Sequence, residues 1–439
     1  MEDERRKGGS LPFRQRMAEA LSPFSGRPFR ILWTGQSVSA AGNAMATVAL
    51  VFAVLEIGGS ATDIGLIIAA QAIAKVVLVL AGGVWADRLP RQVIMLTCDL
   101  TRAAVQLALA VLLFTDRAEV WHLACGAVLF GAAQAFFGPA STGLLPETVG
   151  NKNLQQSNAL MSFSSSIFSV AGPALAGLLI AGFGPGVVFV LDASTFLVSA
   201  VSLRLLKLAP RRVTTSTSFW SDLRTGWHEM AIRPWYWINL IAHSLWNFAV
   251  AAFFVLGPVI AADQFGGASS WGLISASSAA GAIAGGIVSL RLQPKRPLIA
   301  ANLALLLTAL PLLALAPPLA TPVILGAAFM SGMGLTFLNS VWTATMQELI
   351  PDDVRSRVDS YDWLLSMVVA PIGMALAGPV AERVGTAETL VGAALLIVVP
   401  CSLTALVPGI RAVTRAADGR VVGPEGRSEK RQPEPVGID

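Results

Sequence analysis

The chain has 439 residues, of which 54% are hydrophobic and 13% charged, against about 45–50% and about 25% in soluble globular domains. A mean hydropathy of +0.65 and repeated apolar runs of about 20 residues, long enough to cross a bilayer core, exclude a soluble multidomain protein and indicate a polytopic helical membrane protein. The net charge of +4 does not indicate nucleic acid as a partner, because the cations stand in short runs between apolar segments and not on one basic face.

In chain order, residues 1–30 form a polar tail with Arg5, Arg6, Lys7, Arg14, Arg16, Arg27 and Arg30, without the apolar stretch of a cleaved signal. Apolar runs predict helices near 31–56, 61–85, 93–115, 119–141, 157–181 and 187–206. A second set follows near 235–262, 270–290, 298–316, 321–345, 359–381 and 387–408. The expected fold is all-α, with twelve transmembrane helices in two six-helix bundles, 31–206 and 234–408. Between them, residues 207–233 carry Trp220, Leu223, Trp227 and Met230 at helical spacing, which reads as a cytoplasmic linker containing an amphipathic helix, with an aromatic linker as the plainer alternative. Residues 409–439 are rich in Gly, Pro, Arg and Glu and read as a disordered tail.

Orientation follows from the 31 Lys and Arg. Arg117 and Arg383 are the ones that fall in loops on one side, and Lys75 and Arg102 fall within spans. The others gather on the side of both tails, so both termini are expected in the cytoplasm and the protein in the cell membrane. Cys98, Cys125 and Cys401 lie inside apolar runs and imply no disulfide framework.

The sequence also carries an internal repeat. At an offset of 201, Gly172-Pro-Ala-Leu-Ala-Gly177 falls on Gly373-Met-Ala-Leu-Ala-Gly378, Gly184 on Gly385, and Glu147 on Glu348. Six helices per copy is an even number, so the copies cross the membrane in the same sense, as parallel repeats that can rock about a central cavity.

Between the second and third helices stands Gly82-Gly-Val-Trp-Ala-Asp-Arg-Leu-Pro-Arg-Gln92. This segment resembles the loop signature of the major facilitator superfamily, Gly-x-x-x-Asp-Arg-x-Gly-Arg-Arg. It keeps Gly83, Asp87, Arg88 and Arg91 and departs from the signature at Pro90 and Gln92. Phe136 to Ala140, Leu145-Pro-Glu147, Leu191-Asp-Ala193, Asp222 to Gly226 and Pro351 to Val358 are similar to the exporter branch that includes enterobactin and macrolide efflux proteins. The resemblance implies twelve spans and alternating access, with Asp87 meeting the N-terminus of the eleventh helix when the inner gate closes. We expect Gly83 to let helices approach closely. Glu147 is expected to pair with Arg88 or Arg91, and Glu348 with Arg291 or Arg357, at the same gate.

Ionisable groups inside spans are functional candidates. Asp192 reads as a carrier of a coupling proton or a cationic substrate, or equally as a structural acid hydrogen-bonded to a neighbouring helix, with Ser194 and Thr195 as local partners. At 1.5 Å of rise per residue, Lys75, Asp99 and Arg102 fall at similar depths, and Asp99 is expected to be bracketed by the two cations. The cavity candidates are Gln36, Asn43, Gln134, Asn239, His243 and Asn247, with the aromatics Trp246 and Trp342; each has an interhelical hydrogen-bonding or packing role as its alternative.

These readings converge on a secondary active transporter, an exporter of a hydrophobic or amphipathic small molecule such as a drug, antibiotic, natural product or siderophore. Protons are the candidate coupling ion, and the lipid bilayer is the surrounding partner. No cofactor, metal or nucleic acid is expected, and the chain is expected to act as a monomer. An enzyme is not indicated: His122, His228 and His243 stand on separate segments without metal-like spacing or a nucleophile motif. A lysophospholipid transporter, an importer or a transporter-like sensor would fit the same fold.

Overall fold

The computed structural model describes residues 21–149, 153–206, 227 and 230–424, apart from the side chains of 80, 84, 86, 87, 352, 353, 355–357 and 359–367. The expectations for Asp87 and Arg357, for most of the linker helix, and for residues 1–20 and 425–439 lie outside this description.

The chain is a succession of long helices: α1 Arg27–Glu56, α2 Ala61–Arg88, α3 Arg91–Phe114, α4 Val120–Val149, α5 Leu154–Phe183 and α6 Pro185–Leu205, then α7 Pro234–Gln264, α8 Ala268–Arg291, α9 Pro297–Leu315, α10 Thr321–Leu349, α11 Asp352–Val384 and α12 Thr386–Thr404. Among the described residues, eleven of these helices are long and apolar enough to cross a membrane. Several start where local chemistry demands it. Ser60 and Asp63 form a capping box at the start of α2, so side chains satisfy backbone groups that the first turn leaves open. Gly184 and Gly385, at φ +77 and +110, turn the chain into α6 and α12 in a conformation that favours glycine.

Helix α9 is not the single regular helix the sequence suggests. A 3-10 turn at Leu306–Ala309 interrupts it. Pro311, two residues beyond the turn, brings no N–H to the i→i−4 ladder. Thr308 donates to the Leu305 carbonyl at 2.6 Å, and Trp246 of α7 donates to Thr308 at 2.8 Å.

The packing pairs of the first six helices recur in the second six. Helix α1 packs on α5 and α6, α2 on α4, and α3 on α4 and α6. Likewise α7 packs on α11 and α12, α8 on α10, and α9 on α10 and α12. The two sets meet through α5 on α8 and α2 on α11. Glycines set these approaches. A Cβ on Gly172 would strike Ala44 of α1, and one on its repeat mate Gly373 would strike Phe248 of α7. Gly177 lies against Ala268 of α8, and Gly378 against Thr62 of α2. Without side chains at these points the helix backbones approach closely, and in lipid such close packing replaces the hydrophobic driving force.

One end of the molecule carries the α1–α2, α3–α4 and α5–α6 turns and their counterparts; the other carries the α2–α3 turn. At the first end a single apolar cluster draws on both sets, from Val48 to Val54 and Ile64 through Val255, Leu256 and Ile260. Thr62 adds a hydrogen bond to Glu382 at 2.6 Å across the sets. At the α2–α3 end, among the described residues, the buried clusters are separate, one around Phe29, Met95 and Leu144 and the other around Tyr236, Trp342 and Met346.

The disordered tail expected from residue 409 is contradicted as far as residue 424. A short helix, α13 Pro408–Ala412, and a hairpin of β1 Thr414–Arg415 with β2 Val421–Val422 fold onto the second set. Ile410, Val413 and Val421 are fully buried there with Trp235, Tyr236 and Leu349. Three well-spaced apolar side chains dock this segment onto an existing core, so its polar composition does not keep it unfolded.

Candidate functional site: a cavity beside a buried acid network

A cavity of about 380 Å³ opens among α1, α2, α3, α4, α6 and α11. Its polar groups recur at helical spacing: Asn43 and Thr47 on α1, Gln71 and Lys75 on α2, Gln106 on α3 and Gln134 on α4. Residues four apart lie on one face of a helix, so α1 and α2 each present a pair. Phe130, Phe189, Pro371 and Met374 supply apolar wall. Few polar groups set in a largely apolar lining is the usual make-up of a small-molecule site.

Behind the α3 wall lies a buried polar network. Asp99 and Arg102, three apart on α3, form an ion pair and are 0% and 3% exposed. The guanidinium also lies 4.2 Å from the Phe137 ring centre and 4.4 Å from that of Phe196, where aromatic faces hold a desolvated cation. Asp192 of α6, also 0% exposed, accepts from Gln106 Nε2 at 2.6 Å and from Thr195 Oγ1 at 3.4 Å. Gly42 of α1 makes room for it, since a Cβ there would overlap Asp192 Oδ1 and Thr195 Oγ1. Ser194 donates to the Leu191 carbonyl, so the partner expected of it goes elsewhere.

Lys75 belongs to the cavity wall, and the bracket expected around Asp99 is corrected to Arg102. Depth along a helix fixes a residue's level but not its direction. Helix α2 packs on α4 and α11, while α3 packs on α6 and α4, so consecutive helices face different neighbours, and with the observed helix ends Lys75 stands 13 residues from the α2–α3 end and Asp99 eight.

Of the other cavity candidates, Asn43 and Gln134 line the cavity. Gln36 donates to Ser199 at 3.1 Å between α1 and α6. The second-set candidates contact one another and their own helices. Asn239, fully buried, accepts from Asn302 of α9 at 2.6 Å, and Asn302 accepts from His243 Nε2 at 3.2 Å. Trp342 stacks on Tyr236 and meets the His243 ring edge-on. Trp246 is held by Thr308, and Asn247 donates to the His243 carbonyl. These groups satisfy one another inside the second set, as buried polar groups must.

At the α2–α3 end, Gly82 and Gly83 fall inside α2, and the connection is reduced to Leu89 and Pro90. The close approach expected of Gly83 is seen at Gly82, where a Cβ would meet the Ala135 carbonyl of α4; among the described residues a Cβ on Gly83 meets nothing within 4 Å. Arg88 is exposed. Arg91 donates to the Gly143 carbonyl and to Glu147 Oε1, the latter at 3.1 Å. Gln92 caps α6 through the Leu203 and Leu206 carbonyls at 2.5 and 3.0 Å. Glu348, the repeat mate of Glu147, accepts the Val421 N–H of the C-terminal hairpin at 2.6 Å.

The cavity groups missed in the sequence are Gln71, Thr47 and Gln106. Asp99, Arg102 and Gln106 stand at spacings of three and four, and that polar stripe on an otherwise apolar helix was a signal for the last. Among the described residues, no group of His, Cys, Asp and Glu could hold a metal ion.

Residues 32–361 match the family described as Major Facilitator Superfamily. The chain is 25% identical over 365 residues to macrolide efflux protein A of Streptococcus pyogenes, covering 81% of this chain and 90% of that protein. It is also 25% identical over 406 residues to the multidrug efflux pump Tap of Mycolicibacterium fortuitum, covering 89% and 98%. Among solved structures, that of the nucleoside transporter NupG superposes with a TM-score of 0.70 over 87% of this chain and 98% of that one, at 12% identity, which speaks for the fold alone.

Proposed function

Because the chain belongs to the major facilitator superfamily, a family of transporters, we propose that it exports a hydrophobic or amphipathic small molecule by alternating access, in exchange for protons. The observation that carries this reading is the cavity itself. It is bounded at the α1–α2 end by a core shared between both sets of helices and flanked at the α2–α3 end by two separate cores. In this reading the two sets are parallel six-helix bundles, 31–206 and 234–408, and all twelve long helices span the membrane. Rocking them would close one end and open the other.

The α2–α3 end carries Arg88, Arg91, Arg204, Arg291, Lys295 and Arg296, and the opposite end Arg117 and Arg383. The positive-inside rule then places the α2–α3 end and both termini in the cytoplasm. The conformer is inward-facing, and Arg91–Glu147 belongs to the inner gate. The efflux names of two relatives favour export of a drug-like molecule. A 380 Å³ cavity falls in the range of small-molecule sites, about 300–1,000 Å³. Asp192 is the coupling acid, reached from the cavity through Gln106. A single chain contains every part named.

The test is accumulation of ethidium and of radiolabelled erythromycin in cells expressing the wild type or Asp192→Asn, with and without a protonophore. Lower accumulation in the wild type, abolished by the substitution and by the protonophore, supports proton-driven export. No change with either compound overturns the multidrug reading.

A further inference from the structure

We propose that Gln106 is a positioning residue that carries the protonation state of Asp192 to the substrate cavity by reversing its side-chain amide. The inference rests on the reading of Asp192 as the coupling acid and adds the link between that acid and the substrate.

The starting point is geometric. Asp192 is 0% exposed and does not line the cavity. Gln106 does line it, and the same side chain donates Nε2 to Asp192 Oδ2 at 2.6 Å. It therefore bridges the cavity wall and the acid. The other neighbours of Asp192 hold it without reaching the cavity: Thr195 on its own helix, and Gly42 of α1, packed against the carboxylate.

The stereochemistry of the two groups does the rest. An ionised carboxylate only accepts hydrogen bonds, so it holds Gln106 by its NH2 end and leaves the carbonyl end for the cavity. A protonated carboxyl carries one O–H donor and favours the carbonyl end, which turns the NH2 end toward the cavity. The cavity then offers an acceptor in one state and a donor in the other. The proton passes between cavity water and an Asp192 oxygen while the Gln106 amide turns off the carboxyl, and stays on that oxygen between those events. A substrate polar group matched to one state meets a like group in the other, and a mismatched buried polar group is the costly case.

The groups that face Asp192 leave this exchange to Gln106. On α3 the charged and titratable neighbours are Asp99, Arg102 and Cys98, with Asp99 and Arg102 already joined as an ion pair. Helix α5 carries no ionisable residue, and those of α1 (Arg27, Arg30 and Glu56) sit at its ends.

The experiment has one arm that needs no substrate and one that uses erythromycin, both with the full-length protein in nanodiscs. In the first, dicyclohexylcarbodiimide, which reacts with protonated buried carboxyls, is applied from pH 5 to 9 and modification of Asp192 is read by peptide mass. In the wild type the labelling is expected to titrate. In Gln106→Met, which keeps the length but removes the amide, the midpoint is expected to move by at least about tenfold in proton concentration, about 1.4 kcal/mol. If wild-type Asp192 does not titrate, the coupling reading falls. If it titrates and the midpoint stays put in Gln106→Met, coupling stands and the role of Gln106 is overturned.

In the second arm, erythromycin affinity across the same range is expected to change about tenfold in the wild type and less than about threefold in Gln106→Met. An equal change in both overturns the proposal. Should Gln106→Met fail to fold, Gln106→Glu keeps the shape and places a second carboxyl on Asp192. A labelling midpoint unmoved in that variant refutes the link equally.

Discussion

Replacing Gly378 with alanine is expected to drive the protein out of the conformer described here. Gly378 of α11 lies where the two sets of helices meet. A Cβ there would press on Thr62 N and Cα and would lie 2.7 Å from the Ala61 carbonyl carbon. Carbon atoms in contact prefer about 3.5–4.0 Å, so α2 and α11 must part by about an ångström. The obstructing atoms are backbone and cannot rotate away. Overpacking of this kind costs roughly 1–3 kcal/mol, and it falls only on the conformer in which the α1–α2 end is closed. The population opened at that end should rise about 5- to 150-fold. The assay is the rate at which a membrane-impermeant thiol reagent labels Ile64→Cys, a position 1% exposed in the closed end. The background is Cys125→Ala, because Cys98 and Cys401 are buried. Gly172→Ala is the control, since its Cβ would strike Ala44 inside the first six helices. It should lower thermal stability without speeding the labelling. An unchanged labelling rate in Gly378→Ala, or equal acceleration in Gly172→Ala, would refute the assignment of this contact to the gate.

Three further outcomes are expected. Arg102→Met leaves Asp99, fully buried, without its ion-pair partner and should destabilise the protein by about 3–5 kcal/mol; pairing it with Asp99→Asn should recover most of that in a thermal melt in detergent. Asn302→Leu removes the bridge between Asn239 and His243, strands two buried polar groups, and should cost about 1–3 kcal/mol for each while leaving drug binding intact. Val421→Pro deletes the N–H that Glu348 accepts; protease cleavage between α12 and the hairpin should then accelerate by at least about tenfold, the counterpart of about 1.4 kcal/mol.

The helices and the repeat were legible because lipid imposes a length and glycine marks close approach. Gly172 with Gly373 and Gly177 with Gly378 align in sequence and make matching contacts in space. Helix ends were less so. Helix α11 begins at Asp352 and not near 359, and α4 runs to Val149 and not 141, because a helix can leave the apolar layer without a break in its backbone. The 3-10 turn in α9 and the C-terminal hairpin carry no periodicity long enough to read.

The site was legible by residue type but not by direction. Lys75 lines the cavity from α2 while Asp99 pairs with Arg102 on α3, and the two helices pack against different neighbours. His243, Asn239 and Trp342 look like cavity residues in a list of polar and aromatic side chains, yet they satisfy one another inside the second set. Gln106 looks unremarkable until the fold places Asp192 beside it. Which partner a polar group finds depends on helix azimuth, and that is fixed by packing between helices far apart in the chain.

The most direct test of export is transport by the purified full-length protein in proteoliposomes. Radiolabelled erythromycin is supplied outside, the lumen is made acidic, and the vesicles are sorted so that the α2–α3 end faces outward. Uptake against its gradient that collapses with nigericin, and is absent in Asp192→Asn, is the expected result. Uptake that proceeds equally without the pH gradient, or that persists in Asp192→Asn, would contradict proton-driven export through this site.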